Sequence, residues 1–136
     1  MSGENVALVR KLLDVYNERS FAENVDLIDP DIVWDLSRGE LPDGSSYTGR
    51  LELRSFVETW EEGFESEHVD AEEIVDAGDC VVVMVHHRAR GKISRIEIDQ
   101  RYAMVWTLRG GRALRMDLYP TREEALEAVG LPPTSG

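Results

Sequence analysis

The feature that most constrains this chain is a change of hydrophobic period near residue 66. Before it, apolar residues recur every three or four positions: Val6, Val9, Leu12, Leu13 and Tyr16, then Leu53, Phe56, Val57, Trp60 and Phe64. Stripes of that kind turn one face of a helix toward a core, and they predict helices over residues 4–18 and 50–65. After it the period is two. HVDAEEIVD, CVVVMVHHRAR, RIEIDQRYAMVWTLR and RALRMDLY read as four strands, joined by AGD, GKIS and GG, each short enough for a tight turn.

The segments between and after these blocks fill in the order. Ser20 and Glu23 stand in a capping-box pattern that predicts a short second helix running toward Ile28, where Asp29, Pro30 and Asp31 end it. IVWDLS (32–37) reads as a first strand and LPDGSSYTG as a loop. Thr121 and Glu124 repeat the capping pattern and open a last helix that stops at Gly130, before Pro132 and Pro133. Helices at one end with strands after them define an α+β fold. A single domain over 1–132 is expected, with 133–136 a loose tail. The strand 80–90 is apolar on both faces, Val81, Val83 and Val85 on one and Val82 and Met84 on the other. With few helices left to cover a second apolar face, a homodimer packed through the outer sheet face is expected.

Charge and composition remove whole classes of function. The net charge of −12 argues against nucleic acid and anionic membranes as partners, because phosphate recognition needs clustered Lys and Arg. The acids between Glu58 and Asp76 lack the spacing of a calcium loop and read as a solvated surface. No apolar run is long enough to cross a bilayer, and the first residues do not have the pattern of a signal peptide. The lone Cys80 cannot staple the fold, so a reduced, cytoplasmic protein is expected. Three scattered histidines and one cysteine show no zinc spacing, and the phosphate-binding glycine motifs are missing. No metal and no cofactor are expected.

What remains is the histidine pair in VVVMVHHR (81–88). Successive strand side chains point to opposite faces, so His86 and His87 cannot serve one site. The segments DPDIVWD (29–35), YTGRLELRSFVETW (47–60), YAMVWTLRGGRALRMDLY (102–119) and TREEALEAVGLP (121–132) together resemble the SnoaL-like and ketosteroid-isomerase-like superfamily, the nuclear-transport-factor-2-like cone fold. The resemblance covers residues 4–132. It implies a curved antiparallel sheet wrapped round the N-terminal helices, an internal conical cavity and a homodimer. Function is less constrained, because the superfamily hosts isomerases, cyclases, dehydratases, hydrolases and non-catalytic modules.

Two enzyme patterns of the superfamily bear on the sequence. The steroid-isomerase tyrosine, base and acid fall on Leu12, Leu36 and Ala103, so that chemistry, a known case of a protonated aspartate in an oxyanion hole, has no counterpart here. In the epoxide-hydrolase pattern the arginine falls on Val85, the first aspartate on His87 and the last on Asp117, while the first-strand tyrosine and asparagine fall on Trp34 and Leu36. The resemblance therefore turns His87 toward the cavity. Period-two counting adds Val81, Val83 and Val85 on that side, and the same mapping adds Arg101, Ala103, Arg115, Asp117 and Tyr119, leaving Tyr102, Met104 and Trp106 for the dimer face.

The resulting expectation is a cofactor-independent isomerase, cyclase or hydrolase acting on a small apolar organic molecule. His87 is its acid/base, Asp117 orients it, and Arg115 or Tyr119 is the electrostatic partner. Trp34, Leu36, Val85, Arg101 and Ala103 would line the ligand site. The alternative is a non-catalytic ligand-binding or dimerisation module, in which the same polar residues only satisfy one another.

Overall fold

The computed structural model describes residues 2–38 and 45–132. Helix α1 (Ser2–Asn17) is followed by two short 3₁₀ turns (Phe21–Glu23 and Val25–Leu27), strand β1 (Ile28–Asp35), strand β2 (Ser46–Thr48) and helix α2 (Arg50–Glu62). Then come β3 (Phe64–Ala77), β4 (Cys80–Gly91), β5 (Glu97–Arg109), β6 (Arg112–Tyr119) and helix α3 (Arg122–Ala128). Among the described residues the six strands form one curved, unclosed sheet in the order β2-β1-β6-β5-β4-β3. Every pairing is antiparallel except β1 with β6, which is parallel. The fold is an α+β cone.

Several local expectations are revised. Ser20 makes no side-chain cap bond; its hydroxyl donates back to the Val15 carbonyl, and two 3₁₀ turns replace the expected helix. β1 begins at Ile28, and its pairing with β6 slips between Ile28 and Val33, where Pro30 cannot donate to a ladder. β2 lies inside the expected loop, of which residues 41–44 fall outside the described residues, as does the tail 133–136. The last cap holds as expected: Thr121 Oγ1 accepts from the Glu124 amide at 3.2 Å, and Gly130 takes the positive φ of 77° that ends the helix.

The inner face of the sheet and the helices make the larger core, in which Val81, Val83 and Val85 meet Val9, Leu12 and Val57. Asn17 pins α1 to the outermost strand: its side-chain amide donates to the Val69 carbonyl and accepts from the Val69 amide, both at 2.9 Å. At the other end of α1, Asn5 donates to the Gly78 carbonyl at 3.0 Å. The helix is thus laid along β3, with Tyr16 facing the strand's residue 67.

The outer face is not left bare. Ala125 and Leu126 of α3 pack on Val82, Met84, Ala103 and Val105. The apolar patch expected to require a second copy is therefore covered by the chain's own last helix, which folds back across the sheet directly after β6.

Candidate active site

The inner face carries a chain of polar side chains in an otherwise apolar setting. His87, 2% exposed, lies between two partners. Its Nε2 is 2.7 Å from Glu67 Oε2, and its Nδ1 is 3.0 Å from the Tyr102 hydroxyl. The same Glu67 oxygen accepts from the Tyr16 hydroxyl at 2.9 Å and from the Trp60 indole N–H at 2.6 Å. Five elements supply the network: α1 Tyr16, α2 Trp60, β3 Glu67, and the neighbouring strands β4 and β5 His87 and Tyr102.

The proton positions follow from chemistry. An ionised carboxylate only accepts, so the proton of a neutral His87 sits on Nε2 and leaves the Nδ1 lone pair facing the Tyr102 O–H. Burial, then the Glu67 charge, pushes the Tyr102 phenol upward, and the same two causes hold Tyr16 well above its ordinary value. Both phenols stay protonated, hence donors. Desolvation raises Glu61 as well, partly countered by Arg19.

His87, Tyr16, Tyr102 and Trp60 border a central cavity of about 30 Å³ whose other walls include Trp34, Leu36, Met104, Trp106, Met116 and Leu118. That space holds about one water. Phe56 and Trp60 are shared with a wide outer groove of about 810 Å³ beside α2 and the β4–β5 hairpin. Leu51 and Ile96 line that groove and are 81% and 62% exposed.

The residues expected from sequence separate into two groups. His87, Trp34 and Leu36 line the cavity, and Val85 lies on the same inner face in the core. Arg101, Ala103, Arg115, Asp117 and Tyr119 lie on the outer face. Arg101 is exposed and bonds to Glu72 at 2.9 Å, and Ala103 is buried beneath α3. Opposite register partners share a face, and Asp117 pairs with Val105. It is Tyr102, Met104 and Trp106 that turn inward. The His87–Asp117 pair does not form.

Asp117 instead belongs to a second cluster. Its carboxylate takes bonds from Arg115 at 2.8 Å and Arg38 at 3.1 Å, and both arginines also reach Asp35. Tyr119 lies under the Arg38 guanidinium, 5.3 Å from its ring centroid. The Ser37 hydroxyl and amide, with the two arginines, hold Asp35 below the ordinary carboxylate range, and the bond to Asp117 holds Arg115 up.

The slip has a different cause on each strand. β5 is apolar on both faces, so its alternation alone gives no absolute phase. β6 alternates Arg115, Asp117 and Tyr119 with Met116 and Leu118, a contrast that the mapping from the family resemblance overrode. Side-chain size was the available signal: the large Tyr102, Met104 and Trp106 fill the wide interior, and the small Ala103 and Val105 lie beneath α3. Glu67 escapes the sequence reading because the strand is expected only from His68; extended back to Phe64, β3 puts Glu67 on the face of Val69.

A family model of the SnoaL-like domain matches residues 9–116, and the chain belongs to that family. Solved structures share the fold at low identity. A hypothetical protein with a ketosteroid isomerase-like fold from Catenulispora acidiphila DSM 44928, in complex with trimethylamine, is 18% identical over 95% of this chain and 96% of that one, with a TM-score of 0.69. A putative SnoaL-like polyketide cyclase from Jannaschia Sp. CCS1 is 19% identical over 96% and 94%, with a TM-score of 0.74. TerC, co-crystallised with polyporic acid, is 18% identical over 93% and 98%, with a TM-score of 0.72. No curated protein matches the chain in a sequence comparison.

Proposed function

We propose that the protein binds a small, largely apolar organic molecule in the cone and moves a proton on it, with His87 as the acid/base. The observation that carries this is the clamped imidazole on the cavity wall, with a carboxylate on one nitrogen and a phenol on the other. Glu67 takes the orienting role that the sequence had given to Asp117. When the Tyr102 hydroxyl turns from Nδ1 to a ligand oxygen, the Nδ1 lone pair is free to accept a proton from the adjacent carbon or oxygen. The ring becomes imidazolium, matched by the Glu67 carboxylate, and the Tyr102 O–H steadies the oxyanion that forms. Return of the proton to a different ligand atom completes an isomerisation or ring closure. The ligand reaches His87 through the outer groove by displacing Trp60, which with Phe56 forms the wall common to both spaces. The bound trimethylamine and polyporic acid of the structural relatives support small-molecule binding as the shared use of this fold.

The test is deuterium incorporation at C2 of 1-tetralone and other cyclic ketones in D2O, followed by proton NMR. Wild type and His86→Gln are expected to exchange, with His87→Gln slower by ~10²–10⁴-fold and Tyr102→Phe also slower. Equal rates for His87→Gln and wild type would falsify the acid/base reading.

A second reading, a non-catalytic binding module, is favoured by the small cavity and by the mutual pairing of the four polar groups around His87. It predicts that His87→Gln lowers stability and leaves exchange at the buffer rate throughout. Pairing of two copies through the outer sheet face, in a reduced cytoplasmic setting, belongs to the same proposal. Its support is a row of mixed charges, Asp70, Glu72 and Asp99 against His86, Arg88 and Arg101, able to meet its own copy across a two-fold axis.

A further inference from the structure

Among the described residues three large aliphatic side chains stand in water: Leu51, 81% exposed, Ile93, 92%, and Ile96, 62%. Single exposed aliphatics are ordinary on a protein surface, but these three gather at one place. Leu51 on α2 and Ile96 on the β4–β5 hairpin line the outer groove of about 810 Å³, together with the better covered Phe56, Trp60 and Ile98. Ile93 stands at the tip of the same hairpin. The tip is firmly held. The Gly91 amide donates to the Ile96 carbonyl at 2.7 Å, the Lys92 amide to the Gly63 carbonyl at 2.9 Å, and the Ile96 amide to the Ser94 hydroxyl at 3.3 Å. Arg95 takes a left-handed φ of 61° to close the turn. The loop is thus fixed in a shape that offers an isoleucine to solvent, which no packing within the chain calls for.

The charges around the groove are divided between its two walls. Residues 80–96 contain no acid and include Arg88, Arg90, Lys92 and Arg95, in a chain of net charge −12. The opposite wall, α2, carries Glu52 beside Leu51. Neither the Lys92 side chain nor Glu52 has an ion-pair or hydrogen-bond partner among the described residues. Lys92 borders an acidic recess with Glu58, Glu61 and Glu62 but bonds to none of them.

We infer that this groove is a docking surface for a second copy of the chain, which seats its own hairpin tip, Ile93 foremost, on Leu51, Phe56 and Ile96 and receives the first copy's tip in return. The hairpin forms one wall of its own groove, so plug and socket lie side by side, and a two-fold axis beside the hairpin repeats every contact. The same axis brings each copy's Lys92 toward the other's Glu52, which pairs two unpartnered charges twice over. An acidic chain repels its copy except where a cationic segment meets an acidic one, and tip and groove provide that match. The contact is small beside a standard interface, hence weak. It is additional to the outer-face pairing and uses different residues. Phe56 and Trp60 also wall the central cavity, so a seated tip closes the route proposed for the ligand. That consequence rests on the proposed function; the contact itself does not.

The experiment mixes full chain labelled with ¹⁵N and ¹³C with unlabelled full chain at high concentration and reads isotope-filtered contacts between molecules. The expected result is contacts from the Ile93 methyls of one molecule to the Leu51 methyls and Phe56 ring of another, fading on dilution. Ile93→Asp, at an exposed position that the fold tolerates, is expected to abolish them. Lys92→Glu is expected to weaken association ~3–30-fold, because the two-fold counts the pair twice. Adding Glu52→Lys to it is expected to restore the wild-type dilution curve. Arg101→Glu acts on the outer face and leaves the Ile93 contacts in place, so the two modes of pairing fail separately. No contact between molecules from Ile93 at any concentration overturns the inference. So does self-association indifferent to Ile93→Asp, and so does a Lys92→Glu loss that Glu52→Lys fails to reverse.

Discussion

Glu67 keeps its carboxylate in an apolar interior because three donors from α1, α2 and β4 converge on one oxygen. Removing such a group strands its partners, and the loss is larger than the value of any one bond. Glu67→Ala is expected to cost ~3–5 kcal/mol in urea unfolding, whereas His68→Ala, on the exposed side of the same strand, stays within ~0.5 kcal/mol. A similar loss at both positions would mean that the network contributes nothing special. Asp35 makes a pH-dependent contribution of known sign. Its folded-state value is depressed, first by the Ser37 hydroxyl, so its stabilisation is complete above the unfolded carboxylate value and is lost as pH falls through the folded one. Asp35→Asn is expected to lower stability by ~1–2 kcal/mol near neutrality, the arginines being partly exposed and screened. The deficit shrinks below about pH 4. A constant deficit from pH 7 to pH 2 in thermal melts refutes this.

At the scale of elements, α3 shows how little a helix needs of its own. Seven residues are too few to hold a helix in water, so tertiary packing of Ala125 and Leu126, together with the Thr121 cap, keeps it in place. Leu126→Ala is expected to cost ~2–5 kcal/mol and Thr121→Ala ~1 kcal/mol, both read as shifts in the unfolding midpoint at constant slope. A Thr121→Ala loss as large as that of Leu126→Ala would make the cap, not the packing, the anchor. This helix also explains the misread phase of β5. By covering the outer face it lets Ala103 and Val105 be as apolar as Met104 and Trp106, which erases the inside–outside contrast that alternation relies on. β3 adds a bulge between Ala71 and Glu73, after which Ile74 rather than Glu73 faces inward. Such a shift leaves no mark in a short strand sequence.

For the whole molecule, the expected homodimer turns on charge rather than on bare apolar area, since α3 covers much of the latter. A chain of net charge −12 repels its copy at long range, so an outer-face contact must bring opposite charges into register. Sedimentation equilibrium is expected to show a dimer, with Arg101→Glu shifting it toward monomer by removing one of the few cations on that face. A monomer at every concentration overturns the dimer and leaves the cavity untouched, because every residue of the His87 network comes from one chain.

Period and capping residues are local, and so the sequence by itself determined the kind and order of the elements. The two long helices, the hairpin strands and the Thr121 cap were legible in it, whereas the inward placement of His87, Trp34 and Leu36 came only from the family resemblance. What only the tertiary structure decided was which groups meet. Asp117 and Glu67 are both carboxylates on strands of one sheet, yet one faces Arg38 and Arg115 across the outer surface and the other faces His87 inside. That choice depends on absolute strand phase, on where α3 lies, and on the seating of α1 by Asn17. Each of these is set by contacts between residues distant in the chain, where pattern carries no information about partner.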